Sequence, residues 1–477
     1  MFGASGPIEE FEMRQRPRLG KSLNRIAMTL AVLVMLTSSF DICLVIQAGG
    51  NYRFCQLLVP FLLALALLHC RVGGRIPTLG TGALTIWLMI LTFFIPVPEF
   101  WPKSFGYCLW LALSVALMFS FVQLFAENGR SLDALVRWYA YSFAFIALFG
   151  IVQFSLPLFG YDSPFVTEWW IRGQLPRANG FSYEPSYFAT YLLIGFVFVR
   201  SLRHARSNLL PARLLSVICW STAVAIVLSS SRMGILFLFV DVLSYQIVPW
   251  VRLCKDLLRM RLVPRTMRAV IPSMVSIGIF GGILMIAAEA MRSNPTLVLM
   301  FLNGTGVSDT AAHSVVQRQN AFMDTLTVFA RQPFIGQSLG GVSSAIAMLH
   351  GATVHSFEDS KPFEGMSVFA EVLAASGIVG IIPFLWFLVV TVRRPLKLAN
   401  FAGAHYAVLL RALVRSLLFA WAILQFNQNI LRPYVWVHLA ILAAVYAATP
   451  DPSRRPRYSN CPAIDGPKDH IAYLLLV

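Results

Sequence analysis

Runs of roughly 17–25 apolar residues recur from one end of this chain to the other, each as long as a helix needs to be to cross a bilayer. A soluble core could not hide so many of them. Hydrophobic residues make up 57% of the 477 positions and charged residues only 13%, against about 25% in an ordinary soluble domain. Mean hydropathy is +0.69. The expected fold class is therefore all-α, a polytopic integral membrane protein with about twelve transmembrane helices.

The runs fall at 26–48, 54–69, 81–98, 106–126, 138–158, 183–201, 212–229, 232–251, 269–290, 366–390, 408–428 and 431–448. The first is long and contains Asp41, which suits an uncleaved span better than a signal peptide. The expected organisation is a polar N-terminal segment (1–25), nine spans (26–290), a large loop (291–365), three more spans (366–448) and a tail (449–477). Loops this long without a reason are uncommon. It contains an amphipathic stretch, "SVVQRQNAFMDTLTVFARQ", with Val315, Phe322, Leu326 and Phe329 near one face.

Lys and Arg set the orientation. They crowd alternate connections, as in Arg14–Arg25, Arg200–Arg213, Arg252–Arg268 and Arg393–Arg411, and are sparse in the others. Both termini are thereby expected in the cytoplasm, with the large loop outside. The net charge of +16 reads as this topology signal, not as a nucleic-acid face. The seven cysteines form no CxxC pair, so neither a disulfide framework nor a zinc site is indicated. No metal and no cofactor is called for.

One stretch joins polar groups to hydrocarbon: "LPRANGFSYEPSYFATYLLIGFVFV", 175–199. Pro185 suits the first turn of a helix and puts Glu184 near its N-cap. Tyr183, Tyr187 and Tyr191 follow at helical spacing, expected on one side. This helix, one beginning at Arg232 after "SSS", and one beginning near Gly365 all start outside and run inward. Helix N-termini with Arg177 and Arg232 beside them make an anion site. At headgroup depth, the fitting anion is a lipid-linked phosphate or pyrophosphate. Arg177 and Arg232 would bind it, with Glu184 orienting one of the arginines. Arg331, in the large loop, is a further supporting cation. His355 and Glu364 close that loop, and either can take a proton from an acceptor hydroxyl. The ordinary alternatives are a snorkelling arginine, a plain helix cap and an interfacial aromatic belt. Asp41, Asp241 and Arg415 sit deeper, and intramembrane charges are functional candidates in their own right.

The order "RANGFSYEPSYFATYLL", "SSSRMGILFLF", "FARQPFIGQSLGG", "FAEVLAASGIVGIIPFL" resembles the O-antigen ligase and O-antigen polymerase family over roughly 130–450. The resemblance implies a metal-independent, inverting glycosyltransferase of the bacterial inner membrane, with its active site facing the periplasm. The donor would be an undecaprenyl-pyrophosphate-linked glycan, the acceptor a lipid-linked or glycan hydroxyl, and the further partners chain-length-regulator and export proteins. Anion-binding arginines map onto Arg177 and Arg232. Ligases place a histidine just before the tenth span, where this chain reads "EGMS" from Glu364, with His355 earlier. That departure favours a polymerase of O-antigen, capsule or exopolysaccharide repeats over a ligase acting on lipid A-core. A flippase of lipid-linked sugars is the reading from another class.

Overall fold

The computed structural model describes residues 21–47, 51–73, 79–258, 309–365, 367–426 and 430–450, with 278, 285 and 289 as single positions. Apart from those three positions, the expected span 269–290 lies outside the described residues, as do 1–20, the first part of the large loop (291–308) and 451–477.

The described residues form fourteen α-helices and two small antiparallel hairpins. In chain order these are α1 (Lys21–Thr37), β1 (Val45–Gln47), β2 (Asn51–Arg53), α2 (Phe54–Gly73), α3 (Thr81–Phe93), α4 (Trp101–Phe125), α5 (Gly129–Ser155), β3 (Trp169–Ile171), β4 (Leu175–Pro176), α6 (Pro185–His204), α7 (Ala212–Leu228) and α8 (Arg232–Leu258). After these come α9 (Asp309–Arg331), α10 (Gly341–Leu349), α11 (Phe357–Ser360), α12 (Val368–Ala399), α13 (Ala404–Ile423) and α14 (Pro433–Ala448). Five helices are long and apolar enough to cross a membrane: α4, α5 with its extension to Phe159, α6, α12 and α13. Segments of α1, α2, α3, α7 and α14 are apolar but shorter, at 10–17 residues. Outward faces carry large apolar side chains, among them Phe61, Phe93, Phe145, Trp220 and Trp386. A soluble monomer seldom exposes so many together, whereas lipid accepts them.

Two expected spans are shorter than their apolar runs. The run 26–48 leaves the helix at Thr37, whose hydroxyl turns back to Leu33 O (2.7 Å), and Asp41 then pairs with Arg53 of β2 (2.7 Å). The run 81–98 ends as helix at Phe93, ahead of Pro96 and Pro98.

The core centres on α6 and α14. Helix α14 is apolar on every side and is buried continuously from Pro433 to Val445, as an all-round apolar helix must be. It packs on α4 and α13, while α6 packs on α7 and α13. His438, in the middle of α14, is satisfied inside this core. A carbonyl only accepts, so Nε2 donates to Leu413 O (2.8 Å), and Nδ1 accepts from the Tyr139 hydroxyl (2.8 Å).

Helix α12 is broken part-way. Gly377 has a positive φ of 60°, and the chain there is not helical. The freed backbone groups are met by the segment before α10: Gln337 N–H donates to Ala374 O (3.0 Å), Ser338 N–H to Ala375 O (2.8 Å), and Ile378 N–H to Pro333 O (2.9 Å). Gly336 is required by this approach, because a Cβ there would lie 2.1 Å from Ala375 O. The motifs "PFIGQSLGG" and "AASGIVG" are thus each other's backbone partners.

The long described helices from α1 to α8, and again from α12 to α14, alternate in direction, which gives the bundle two distinct ends. One end joins α1–α2, the 156–184 segment, the α7–α8 turn and the starts of α4, α6, α12 and α14 through Asp41–Arg432, Ser182–Ser39, Arg177–Ser229 and Lys103–Glu364 contacts. The other end holds Asn24–Ser131, His69–Glu127 and His405–Asp133. Arg130, Arg137, Arg203, Arg213, Arg393 and Arg394 lie on helices at that second end.

Candidate functional site

At the first end of the bundle, Arg177 and Arg232 fall in one group and Glu364 centres a second, while the described contacts of His355, Tyr183 and Arg331 join neither. The first group surrounds Arg177. A two-stranded hairpin, β3–β4, delivers it: Arg177 N–H donates to Glu168 O (3.0 Å) just beyond the strands. Its guanidinium donates Nη1 to the Glu168 carboxylate, Nε to Ser229 O (3.2 Å) and Nη2 to Ser230 O (3.4 Å). These carbonyls belong to the turn between α7 and α8, and Ser230 holds a positive φ of 53° there. Trp170 Nε1 braces the same turn through Ser230 Oγ (3.0 Å). Arg232 follows immediately as the exposed first residue of α8. It feels the positive charges of Arg318, on α9, and of Arg177. Three guanidinium groups thus gather at one corner, one each from the hairpin, the helix start and the large loop.

The carboxylate that orients Arg177 is Glu168, which corrects the expectation for Glu184. Glu184 is the N-cap residue of α6 as expected, but its side chain caps nothing and accepts instead from Ser186 Oγ (2.8 Å). Glu168 lies in irregular chain nine residues before Arg177, where no periodic pattern marks it. Arg331 ends α9 exposed, and among the described residues it joins no ion pair. On α9 the inward residues are Thr325 and Val328, with Phe329 partly buried, while Phe322 of the expected apolar face is 38% exposed.

Of the three tyrosines, Tyr187 and Tyr191 share the side of α6 that faces Arg432 and Tyr434 at the start of α14, and Tyr183 does not. Tyr183 precedes the helix and is exposed, Tyr187 lies under the Arg432 guanidinium, and Tyr191 is buried with its hydroxyl donating to Ser142 Oγ (3.0 Å). The helix begins only at Pro185, so Tyr183 lacks helical phase.

The second group centres on Glu364. Its Oε1 accepts from Tyr107 OH (3.2 Å) and from Lys103 Nζ (3.3 Å). Lys103 is almost wholly buried, at 2% side-chain exposure, and also donates to Ser343 Oγ (2.9 Å) and Ser360 Oγ (2.7 Å). Glu371, in the first turn of α12, is 7% exposed, and its Oε2 has no hydrogen-bond partner among the described residues. Arg432, the N-cap residue of α14, is 9% exposed and donates Nη1 to Asp41 Oδ2 (3.0 Å), while Arg53 holds Asp41 Oδ1 (2.7 Å). Arg432 and Tyr187 both feel the charge of Glu364, so the first turn of α6 borders this group too. The segment 175–187 therefore runs from one group to the other.

His355 is exposed. Its backbone N–H donates to Asp359 Oδ2 (3.1 Å), completing the approach to a capping box in which Ser356 and Asp359 exchange hydrogen bonds. The Ser356 hydroxyl, helped by the His355 amide, holds the Asp359 carboxyl below its usual range.

The deeper charges are paired with one another. Asp241 is fully buried and accepts from Arg415 Nη2 (2.7 Å) and Arg200 Nη1 (2.8 Å), with the Tyr245 ring 4.0 Å from Arg415 and 4.6 Å from Arg200.

Sequence reasoning missed Arg318, Glu168, Glu371 and the roles of Lys103 and Arg432. The one signal for Lys103 was its place four residues before Tyr107 in an apolar helix. No family model matches the chain, and no curated protein matches it.

Proposed function

We propose that the chain polymerises lipid-linked oligosaccharide repeat units, moving a glycan from undecaprenyl pyrophosphate to a sugar hydroxyl. The observation that carries this reading is the gathering of Arg177, Arg232 and Arg318 at the same end of the bundle as a carboxylate, Glu364, held by a lysine and a phenol. The arginines bind the donor's pyrophosphate while its prenyl tail stays in the bilayer. Guanidinium groups offer paired donors to phosphate oxygens and offset the charge that develops as the pyrophosphate leaves. Glu364 takes the acceptor hydroxyl's proton, the acceptor oxygen bonds to the anomeric carbon, and the carbon–oxygen bond to pyrophosphate breaks with inversion. His355 is the lesser candidate for this base, being exposed and apart from the buried cluster.

In this proposal about twelve helices cross the inner membrane, both termini are cytoplasmic, and the site end faces the periplasm. The concentration of basic residues on the helices at the other end supports that orientation. Glu364 before α12, where ligases carry histidine, supports a polymerase over a ligase. Asp41, Asp241 and Arg415 are the deep charges a transporter reading would use, and each is paired here within the protein. The test is purified protein in liposomes with a lipid-linked repeat unit. A ladder of longer products is expected without a nucleotide sugar. Labelled lipid crossing the bilayer without a ladder would favour a flippase.

A further inference from the structure

Lys103 makes as many hydrogen bonds as an ammonium group has protons. Its partners come from three separate parts of the large loop: Ser343 in α10, Ser360 in α11 and Glu364 before α12. The Ser343 and Ser360 hydroxyls donate their own protons to Gly340 O and Phe357 O, so both accept from Lys103, and with Glu364 they supply an acceptor for each ammonium proton against the cost of its burial. On the same face of α4, one turn along, Tyr107 donates to Glu364. Both donors land on Oε1. The other oxygen, Oε2, receives neither of these donors, and the side chain is 44% exposed.

Glu371 adds a second carboxylate beside Lys103, while Glu364 also faces Arg432 from the start of α14. Glu371 lies seven residues after Glu364, it is buried, and its Oε2 is unpartnered among the described residues. The charges facing Glu371 are Glu364 and Lys103. Lys103 faces Glu364, Glu371 and Lys361, and Tyr107 faces Glu364, Glu371 and Arg53. Two ionised carboxylates beside one lysine would leave a buried negative charge with no partner, which a carboxyl avoids by keeping its proton.

We infer that Lys103 is the positioning residue for the base, fixing Oε1 of Glu364 so that Oε2 faces the acceptor hydroxyl, while Glu371 behind it stays protonated. This rests on the reading of Glu364 as base. The acceptor's proton goes to Glu364 Oε2 as its oxygen bonds to the anomeric carbon. The leaving electron pair goes with the pyrophosphate to the arginines. The proton then passes from the half-exposed Glu364 to water. Glu371 gains and loses nothing in the cycle. Its role is to leave the Lys103 charge undivided for Glu364.

The experiment is polymerisation by the full chain in liposomes, for wild type, Lys103→Met and Lys103→Arg, with infrared difference spectra of wild type and Glu371→Gln beside it. Lys103→Met should lower kcat about tenfold or more, with KM for the donor little changed. Lys103→Arg keeps a charged donor beside Oε1 and should recover part of that kcat. The carbonyl band of a protonated carboxyl should be present in wild type and lost in Glu371→Gln. The same spectrum from both proteins would mean that Glu371 is ionised and would overturn that half. Unchanged kcat in Lys103→Met would overturn the other half.

A protease arm separates this inference from the polymerase reading. Cutting after Glu358 by a Glu-specific protease should be faster in Lys103→Met than in wild type, since the fastening of α10 and α11 to α4 is lost. Absence of a ladder from wild type at every pH would count against the polymerase reading. Equal cutting of the two proteins would count against Lys103 as the fastener, whatever the ladder shows.

Discussion

The guanidinium of Arg432 lies 3.6 Å from the centre of the Tyr187 ring, joining the start of α14 to the first turn of α6. Arg432 is also held by Asp41, so the cation sits between a carboxylate and a π-face. Replacing the ring should cost the cation–π contact and leave the ion pair. Tyr187→Leu is expected to lower stability by about 0.5–2 kcal/mol. Tyr187→Phe keeps the ring and should stay close to wild type. Thermal unfolding of the detergent-purified protein separates the two.

Arg177, Arg232 and Arg318 should each resist replacement by lysine. A lysine keeps the charge and loses the planar fork that grips two phosphate oxygens. Losing one charge-assisted contact costs about 1.5–3 kcal/mol, or roughly ten- to a hundred-fold in turnover. Arg172→Lys, on the exposed turn between β3 and β4, is the control. Wild-type turnover in all three variants at matched membrane abundance would remove the anion site from the proposal.

Glu168 acts on donor binding through Arg177, since its carboxylate holds Nη1. Glu168→Gln keeps a hydrogen-bond acceptor and removes the charge. Its effect should be a raised KM for the lipid-linked donor, severalfold, with a smaller change in kcat. Glu184→Gln should change KM less, because Glu184 meets only Ser186 among the described side chains. Initial rates over a range of donor concentration decide the order.

Asp241 is the sole carboxylate among the described partners of Arg200 and Arg415. Asp241→Asn leaves two guanidinium groups in the bundle interior without their counter-ion. Breaking such a buried arrangement costs about 3–5 kcal/mol. The half-exposed His405–Asp133 pair at the basic end offers the contrast: Asp133→Asn should cost about 1 kcal/mol or less. Melting temperatures and membrane yields of the two variants should differ accordingly.

Gly336 stands where the large loop meets the broken helix. An alanine methyl would meet Ala375 O at 2.1 Å, with backbone on both sides of the clash. Gly336→Ala is expected to undock the segment 333–338, with faster hydrogen exchange at the amides of Gln337, Ser338 and Ile378. Gly403→Ala, in open space ahead of α13, should leave exchange unchanged.

Much of the helix order was legible in the sequence. Apolar runs and the polar residues that break them mark where helices begin and end, so the turn at 229–231, the helix starts at Pro185 and Arg232, and the helix α9 followed from pattern alone. What pattern does not carry is direction around each helix axis. Lys103 meets partners 240, 257 and 261 residues away, and no local period records such a meeting. The same blindness hid Glu168 behind the better-placed Glu184. It also hid the break at Gly377, because an apolar run stays apolar whether its carbonyls are met by the next turn or by a distant loop.

That break bears on how the protein is made. Gly377 lies about 13 Å along α12 from its start, by helical rise. In hydrocarbon each unmet backbone group costs several kcal/mol. Helix α12 emerges from the ribosome after the segment that completes it, so Pro333–Ser338 must already be waiting when the helix enters the membrane. The two sequences are best regarded as one insertion unit, a loop and a span delivered together. A chain interrupted between them would present the translocon with a helix it has no reason to release into lipid.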